Sequence, residues 1–547
     1  MSSATRSVPS RARRLPLAGV LRLGRPSDIW FKPALSVVVA VAPPNLTLLA
    51  LGRLDLAMYT MAGSLCALYA HNRPYAARAR ALARVVVGML TGLGVALITA
   101  SLTTNAVALV TVGALLAAAQ KALCDATRIG PPGHVVLAFI SSASLFVPQS
   151  LGQVPGHLAL GAAAGAWAWI VGMAPGLVRP HGPERRATAH ALNAAAVSAG
   201  APDDPRARAT GAAAVHAAWQ SLLSTGARSA PRRALERLVV RAEVAIAAPS
   251  ETDPERLRGW ARDLAGTGPA PRPDGLGDAA DELLGVEAAL ASTEQSLLCR
   301  LGPLAPIALR TALGCALAGY VSLALGVGRP YWALVTAASL YQANVTLTWS
   351  RGVQRVVGNL LGVLAFAALA PLAHVGQAAL VLCCLALNFG AEALIGRNYW
   401  LGSVCVTPMA LLITEFARSQ QPGELITDRV LDTLVGALVG FAAAIAVTNR
   451  RAGDRIEGAL STVERAREHA AGLLAEKRPE PGALEAARRG LSAAVVDLRS
   501  AADAAAGEWW QRALPEERVM RAEQAGHRTL AATVRRQGLH CSEGAQA

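Results

Sequence analysis

Residues 350–362 read SRGVQRVVGNLLG and set Arg351 and Arg355 one helical turn apart, directly against glycines and aliphatic side chains. Side chains at i and i+4 share one face of a helix. Charge inside lipid is expensive, so such a pair marks either the end of a membrane span or a polar path through one. What surrounds the stretch decides that it belongs to a membrane helix.

The chain has 547 residues, of which 53% are hydrophobic and 16% charged, against about 25% charged in an ordinary soluble domain. Mean hydropathy is +0.36. The apolar residues fall in two blocks, 33–178 and 304–449, each cut into runs near the ~20 residues a helix needs to cross a bilayer. Spans are expected at about 33–52, 56–70, 84–102, 104–124, 134–150 and 157–177 in the first block. In the second they are expected at about 305–326, 331–346, 354–373, 375–391, 398–414 and 430–448. The expected fold is all-α, a polytopic membrane protein of two six-helix transmembrane repeats with cytoplasmic helical domains. The expected domains are a basic tail (1–32), a first transmembrane unit (33–178), a helical domain (179–303), a second transmembrane unit (304–449), and C-terminal helices with a disordered tail (450–547).

Arginines set the orientation, because short loops rich in Lys and Arg stay cytoplasmic. Arg6, Arg11, Arg13, Arg14, Arg22, Arg25 and Lys32 precede the first span, and Arg73, Arg78, Arg80 and Arg84 precede the third. Lys121 and Arg128 follow the fourth, Arg351 and Arg355 precede the ninth, and Arg397 lies between the tenth and eleventh. The opposite loops hold only Arg53, Arg329 and Arg418. Both termini and the middle segment are therefore expected in the cytoplasm, with the chain in the inner (plasma) membrane.

The net charge of +15 reads as topology charge and headgroup contact; no basic stripe interleaved with aromatics points to nucleic acid. The tail does not read as a cleaved signal, since Ala40-Val41-Ala42 runs into Pro43-Pro44 inside the first span. Eight cysteines make no CxxC pair, so neither a disulfide framework nor a zinc site is implied, and no cofactor is expected. There is no GxxxxGK[ST], HExxH or GxSxG, so the chain does not read as an enzyme or an ATP-driven pump.

The segments outside the blocks read as soluble helix. Leu235, Leu238, Val239, Ala242 and Ile246 mark one face of a middle helix, broken by Pro202, Pro205, Pro254 and the run 266–277. Ile456, Leu460, Val463 and Leu474 mark a second helix, and Leu491, Val495 and Leu498 a third. The C-terminal set is the simplest packing partner for the middle one. Beyond about 537 the chain is expected to be disordered.

An internal repeat links the blocks. Arg80 and Arg84 precede Gly88 and Gly92, as Arg351 and Arg355 precede Gly358 and Gly362; the sixth spans carry Gly161/Gly165 and Gly436/Gly440. GxxxG allows close approach of helix backbones in lipid. Asp125 closes the fourth span and Glu392 the tenth, each with an arginine soon after. Two readings of these acids stay open, interfacial partners of basic residues or a proton relay and gate. The second spans, MYTMAGSLCALYA (58–70) and YWALVTAASLYQANV (331–345), are short and punctuated by polar residues, as cavity-lining helices of parallel-repeat transporters are.

The second block resembles the fusaric acid resistance family of aromatic acid exporters. The resemblance rests on Tyr331-Trp332 through Thr336 to Gln342, Arg351, Arg355 to Gly358-Asn359 and Gly362, Asn398-Tyr399 with Thr407-Pro408, and Arg429 through Asp432-Thr433 to Gly436. It covers about 304–450 and extends more weakly, through the repeat, to 33–178. Asn359 stands where the family usually has threonine, and Ala343 where it has proline. The resemblance implies export of aromatic carboxylates or related anions by the proton gradient. Plant aluminium-activated malate channels look like distant relatives, which makes an anion channel the alternative.

Four guanidinium groups, Arg80, Arg84, Arg351 and Arg355, would converge on the cytoplasmic mouth if the halves face each other, and arginine holds carboxylates bidentately. The competing reading is that they fix topology. Tyr331, Trp332, Tyr341, Tyr399 and Trp400 either stack on an aromatic cargo or form an interfacial belt. Gln342, Asn359 and Asn398 complete the expected path. Asp432, three residues after Arg429, is either that arginine's partner or a proton carrier. The partners implied are the bilayer and a small organic anion. A non-transporting membrane scaffold stays open as a third class, and oligomeric state is open, a homo-oligomer included.

Overall fold

The computed structural model describes residues 15, 17–24, 29–224, 229–247, 249, 252–266, 268–271, 301–342, 344–416, 421–447, 452–477, 479–506 and 516–544. Arg6, Arg11, Arg13, Arg14, Arg25, Arg418, Cys299 and most of the breaker run 266–277 lie outside these residues. The first membrane unit comprises α1 (Phe31–Ala50), α2 (Ala57–Ser64), α3 (Tyr75–Leu102), α4 (Ala106–Ala126), α5 (Val135–Leu145) and α6 (Val154–Met173). Four helices follow: α7 (Gly182–Gly200), α8 (Pro205–Leu223), α9 (Ala230–Ala247) and α10 (Pro254–Ala265). The second unit is α11 (Ala305–Ala324), α12 (Tyr331–Leu340), α13 (Val345–Ala373), α14 (Gln377–Ile395), α15 (Tyr399–Glu415) and α16 (Pro422–Ala446). The chain ends in α17 (Ala452–Ala475), α18 (Pro481–Ala506) and α19 (Glu516–Gly544). α19 thus continues as helix past 537, where the sequence predicts disorder.

Eight helices among the described residues are long and apolar enough to cross a membrane. The chain is a multi-pass membrane protein. The second and fifth helices of each unit, Leu54–Leu68, Val135–Leu145, Tyr331–Leu340 and Tyr399–Glu415, are apolar but shorter. α12, with 10 residues, rises only about 15 Å, half the ~30 Å hydrocarbon core. Backbone freed where such a helix stops must be buried in protein or face a cavity. Tyr341 and Asn344, just past α12, are buried, and α2 tightens into a 3-10 turn at Leu65–Leu68.

Corresponding helices make corresponding contacts in the two units. α2 packs on α6 as α12 packs on α16, α3 on α5 as α13 on α15, and α3 on α6 as α13 on α16. The seam between units is reciprocal too, with α1 against α14 and α11 against α4. Thr111 and Tyr320 hydroxyls meet across it at 2.8 Å, and a ring nitrogen of His134 lies 3.0 Å from the Ala338 carbonyl oxygen. Glycine sets the closeness of these crossings. A Cβ at Gly436 would lie 2.5 Å from the Ala333 carbonyl oxygen, and one at Gly358 2.6 Å from that of Trp400.

Outside the membrane units, α7–α10 form one apolar core around Leu192, Trp219, Leu238 and Val239, and α17–α19 another around Val463, Leu491 and Leu498. Of the predicted stripe on α9, Leu235, Leu238, Val239 and Ala242 are buried. The two cores meet through charge. Buried Arg488 of α18 pairs with Glu243 of α9 and with Glu485, and the Arg489 guanidinium lies 3.5 Å from the Trp219 ring centroid. Arg80 Nη2 donates to the Ser224 carbonyl at 3.2 Å, tying α3 to this domain.

Candidate functional site

A cavity of 1260 Å³ lies between the two membrane units. It is walled by residues of α2, α4 and α5 on one side and of α12, α13, α14 and α15 on the other. Its basic lining residues are Arg73, Lys121, Arg128, Arg329, Arg351, Arg355 and Arg429; the acidic ones are Asp55, Asp125 and Glu392. Several of these charges are engaged locally. Lys121 pairs with Asp125 at 2.7 Å, Arg329 with Asp428 at 3.0 Å, and Asp55 with Arg53 at 3.0 Å. Arg73 donates to the carbonyl oxygens of Thr127 and Arg128. In the loop after α2, burial, with Arg78 nearby, pushes His71 down to about 3.

The centre of positive charge is built by the second unit. α13 begins at Val345 rather than near 354, because Asn344 caps it by accepting from the Leu347 N–H at 2.8 Å. Arg351 and Arg355 therefore lie inside the helix, about 9 and 15 Å from its start, rather than at its entrance. Both meet Tyr399. Arg355 Nη1 donates to the Tyr399 hydroxyl at 3.0 Å, and the Arg351 guanidinium sits over the Tyr399 ring at 3.8 Å. Arg355 is 4% exposed. Tyr331, Tyr341 and Gln342 line the same cavity; Tyr331 packs on Phe146, just past α5, with ring centroids 5.7 Å apart.

Arg429, weighed from sequence only beside Asp432, also lines this cavity. α16 starts at Pro422, earlier than expected, which carries Arg429 about 10 Å into the bundle. The sequence signal was masked: Arg429 follows Asp428 directly and precedes Asp432 by one turn, at the edge of the expected span, where charge reads as a helix end rather than a path.

Other predicted site residues lie elsewhere. Arg80 and Arg84 are exposed and outside the cavity lining, so four guanidinium groups do not converge. The reason is helical phase: Arg351 precedes Gly358 by seven residues, whereas Arg80 precedes Gly88 by eight, and one residue turns a side chain by about 100° relative to the glycine face. Asn359 is a clasp, not a liner. Its Nδ2 donates to Thr433 at 2.9 Å and its Oδ1 accepts from Thr407 at 2.7 Å, joining α13, α15 and α16. Asn398 caps α15 and donates to the carbonyl oxygens of Val20 and Arg22 at 3.1 and 3.0 Å, holding the N-terminal segment on the bundle with help from Gln354 and Trp400. Trp332 is fully buried behind the cavity wall, between Arg329 and Arg429 at 5.4 and 5.0 Å. Asp125 and Glu392 face the cavity, Asp125 paired with Lys121 rather than Arg128. Asp432 is buried off the lining and accepts from Ser322 at 2.5 Å.

Residues 316–443, from within α11 to within α16, match the family described as fusaric acid resistance protein-like. Over 122 residues, 22% of this chain, the sequence is 33% identical to the "uncharacterized membrane protein YvaC" of Bacillus subtilis (strain 168). The matched region spans 19% of that protein's length. No solved structure matches the chain.

Proposed function

From a second unit that carries a fusaric acid resistance protein-like domain, we propose that this membrane protein exports organic anions through the cavity between its two units. The observation that carries the reading is the lining itself, in which basic residues outnumber acidic ones and Arg351, Arg355 and Arg429 gather around Tyr399. A cavity enriched in one sign of charge and walled by low-dielectric protein concentrates solutes of the opposite sign. The two units act as parallel repeats, and the short α2 and α12 leave room for the path, as broken helices do in other transporters. The extramembrane domain faces the cytoplasm under the positive-inside rule, so cargo enters from that side of an inner membrane. Aromatic carboxylates are the cargo class that the resemblance implies. Tyr331, Tyr341 and Tyr399 supply ring surfaces beside the guanidinium groups.

Proton coupling is part of this proposal, with Glu392 and Asp125 as the carboxylates that face the cavity. The alternative, an anion channel, is favoured by one feature: residues near both ends of the seam, Arg73 and Asp55 among them, line the same cavity. The deciding experiment is efflux of benzoate from vesicles containing the purified chain, with a pH gradient and a voltage imposed separately. Export that needs the pH gradient supports the exporter. Flux that follows voltage alone supports the channel, and no flux under either condition overturns anion transport.

A further inference from the structure

We propose that Arg429 and Arg355 together form a carboxylate seat deep in the seam, and that Arg429 selects the anionic group of the cargo; this rests on the reading of the cavity as an anion path. Arg429 is 1% exposed and lines the cavity, and its Nε and Nη1 have no hydrogen-bond partner among the described residues. Arg355 is 4% exposed and its Nε is likewise without a partner. Arg355 lies within electrostatic range of Arg429, and so does Tyr399.

Among the described residues neither neighbouring acid forms a hydrogen bond or close ion pair with Arg429, although Asp432 lies within its electrostatic range. Asp428, its neighbour in sequence, pairs with Arg329 at 3.0 Å. Asp432, one turn on, accepts from Ser322 of α11 at 2.5 Å, and its other oxygen has no hydrogen-bond partner among the described residues. The Trp332 ring covers one face of the Arg429 guanidinium at 5.0 Å. The two buried guanidinium groups lie within electrostatic range of each other with donors unmatched, an arrangement that is unfavourable until an anion accepts from both. A planar guanidinium edge offers paired donors, which a carboxylate accepts in bidentate fashion. Tyr399 borders the seat, its hydroxyl accepting from Arg355 at 3.0 Å while its ring lies under Arg351.

The experiment measures binding and vesicle efflux of benzoate, benzyl alcohol and inorganic phosphate by the full chain, as wild type, Arg429→Gln and Arg429→Lys. Loss of one charge-assisted pair weakens binding by about 10- to 100-fold. Arg429→Gln is expected to lose benzoate affinity by that factor, Arg429→Lys to keep part of it, and neither to alter the weak uptake of benzyl alcohol. Thermal unfolding in detergent shows that the variants remain folded, and Arg429→Lys retains the charge if Arg429→Gln does not fold. Benzoate binding unchanged in Arg429→Gln, with wild-type efflux intact, refutes the seat and leaves anion transport standing. Phosphate bound as tightly as benzoate overturns the carboxylate assignment. Wild-type protein that moves no benzoate at all overturns the transport reading itself.

Discussion

Gly436→Ala tests whether the α12–α16 crossing is set by backbone contact. The added methyl carbon would lie 2.5 Å from the Ala333 carbonyl oxygen and 2.7 Å from Thr336 Cβ. Ordinary contacts of these kinds begin near 3.3–3.5 Å, so α16 must retreat by about 1 Å. A backbone carbonyl cannot rotate aside, and overpacking of this kind costs about 1–3 kcal/mol. Gly88→Ala is the matched control, since a Cβ there meets only Leu137 Cδ2 at 3.7 Å. Both replacements gain the same helix propensity, about 1 kcal/mol, so the difference between them isolates the clash. In thermal unfolding of the purified protein in detergent, Gly436→Ala is expected to melt below Gly88→Ala by the equivalent of about 1–3 kcal/mol. Benzoate efflux falls as well, because α16 carries Arg429 and α12 carries Tyr331. Equal midpoints for the two variants would show that the crossing is not set by this contact.

Three further outcomes are expected. In efflux assays, Arg80→Ala with Arg84→Ala leaves benzoate transport near wild type, while Arg351→Ala with Arg355→Ala lowers it at least about tenfold, the loss of one charge-assisted contact; the reverse order would contradict the placement of these arginines. Arg488→Met removes the buried cation that joins Glu243 to Glu485, leaving Glu485 its pair with Arg489 at 2.8 Å, a change that costs about 3–5 kcal/mol, and limited proteolysis should then separate α7–α10 from α17–α19. Burial, with Arg208 nearby, pushes His527 down to about 4. Above its unfolded pKa of about 6.5 both states are neutral and the group contributes nothing; between 6.5 and 4 only the unfolded chain takes the proton, so stability falls as pH drops, by up to about 3 kcal/mol. Unfolding measured from pH 7 to 4 should be flatter in His527→Gln, and identical slopes would sink this assignment.

Several features of the site were legible in the residues. The pairing of Arg351 with Arg355 on one face follows from helical periodicity, and both do face the cavity. The shortness of α12 was visible in its polar punctuation and that of α15 in the length of the run 398–414, whereas that of α5 was not, since its apolar run continues past Leu145 into the non-helical Phe146 and Val147. Asn359 looked like a liner because an amide in an apolar helix reads as polar path. It is instead spent on two threonines of neighbouring helices, which satisfies a buried amide equally well.

By itself the sequence determined that this chain crosses a membrane many times as helix, because apolar runs of that length leave the backbone no other way to satisfy its hydrogen bonds in lipid. It also determined which arginines share a face, since that depends only on their spacing. The tertiary structure alone decided which faces turn inward. Arg80 and Arg84 point away and Arg429 points into the seam because direction depends on the phase of each helix against its packed neighbours. That phase is fixed by close glycine contacts between segments far apart in the chain.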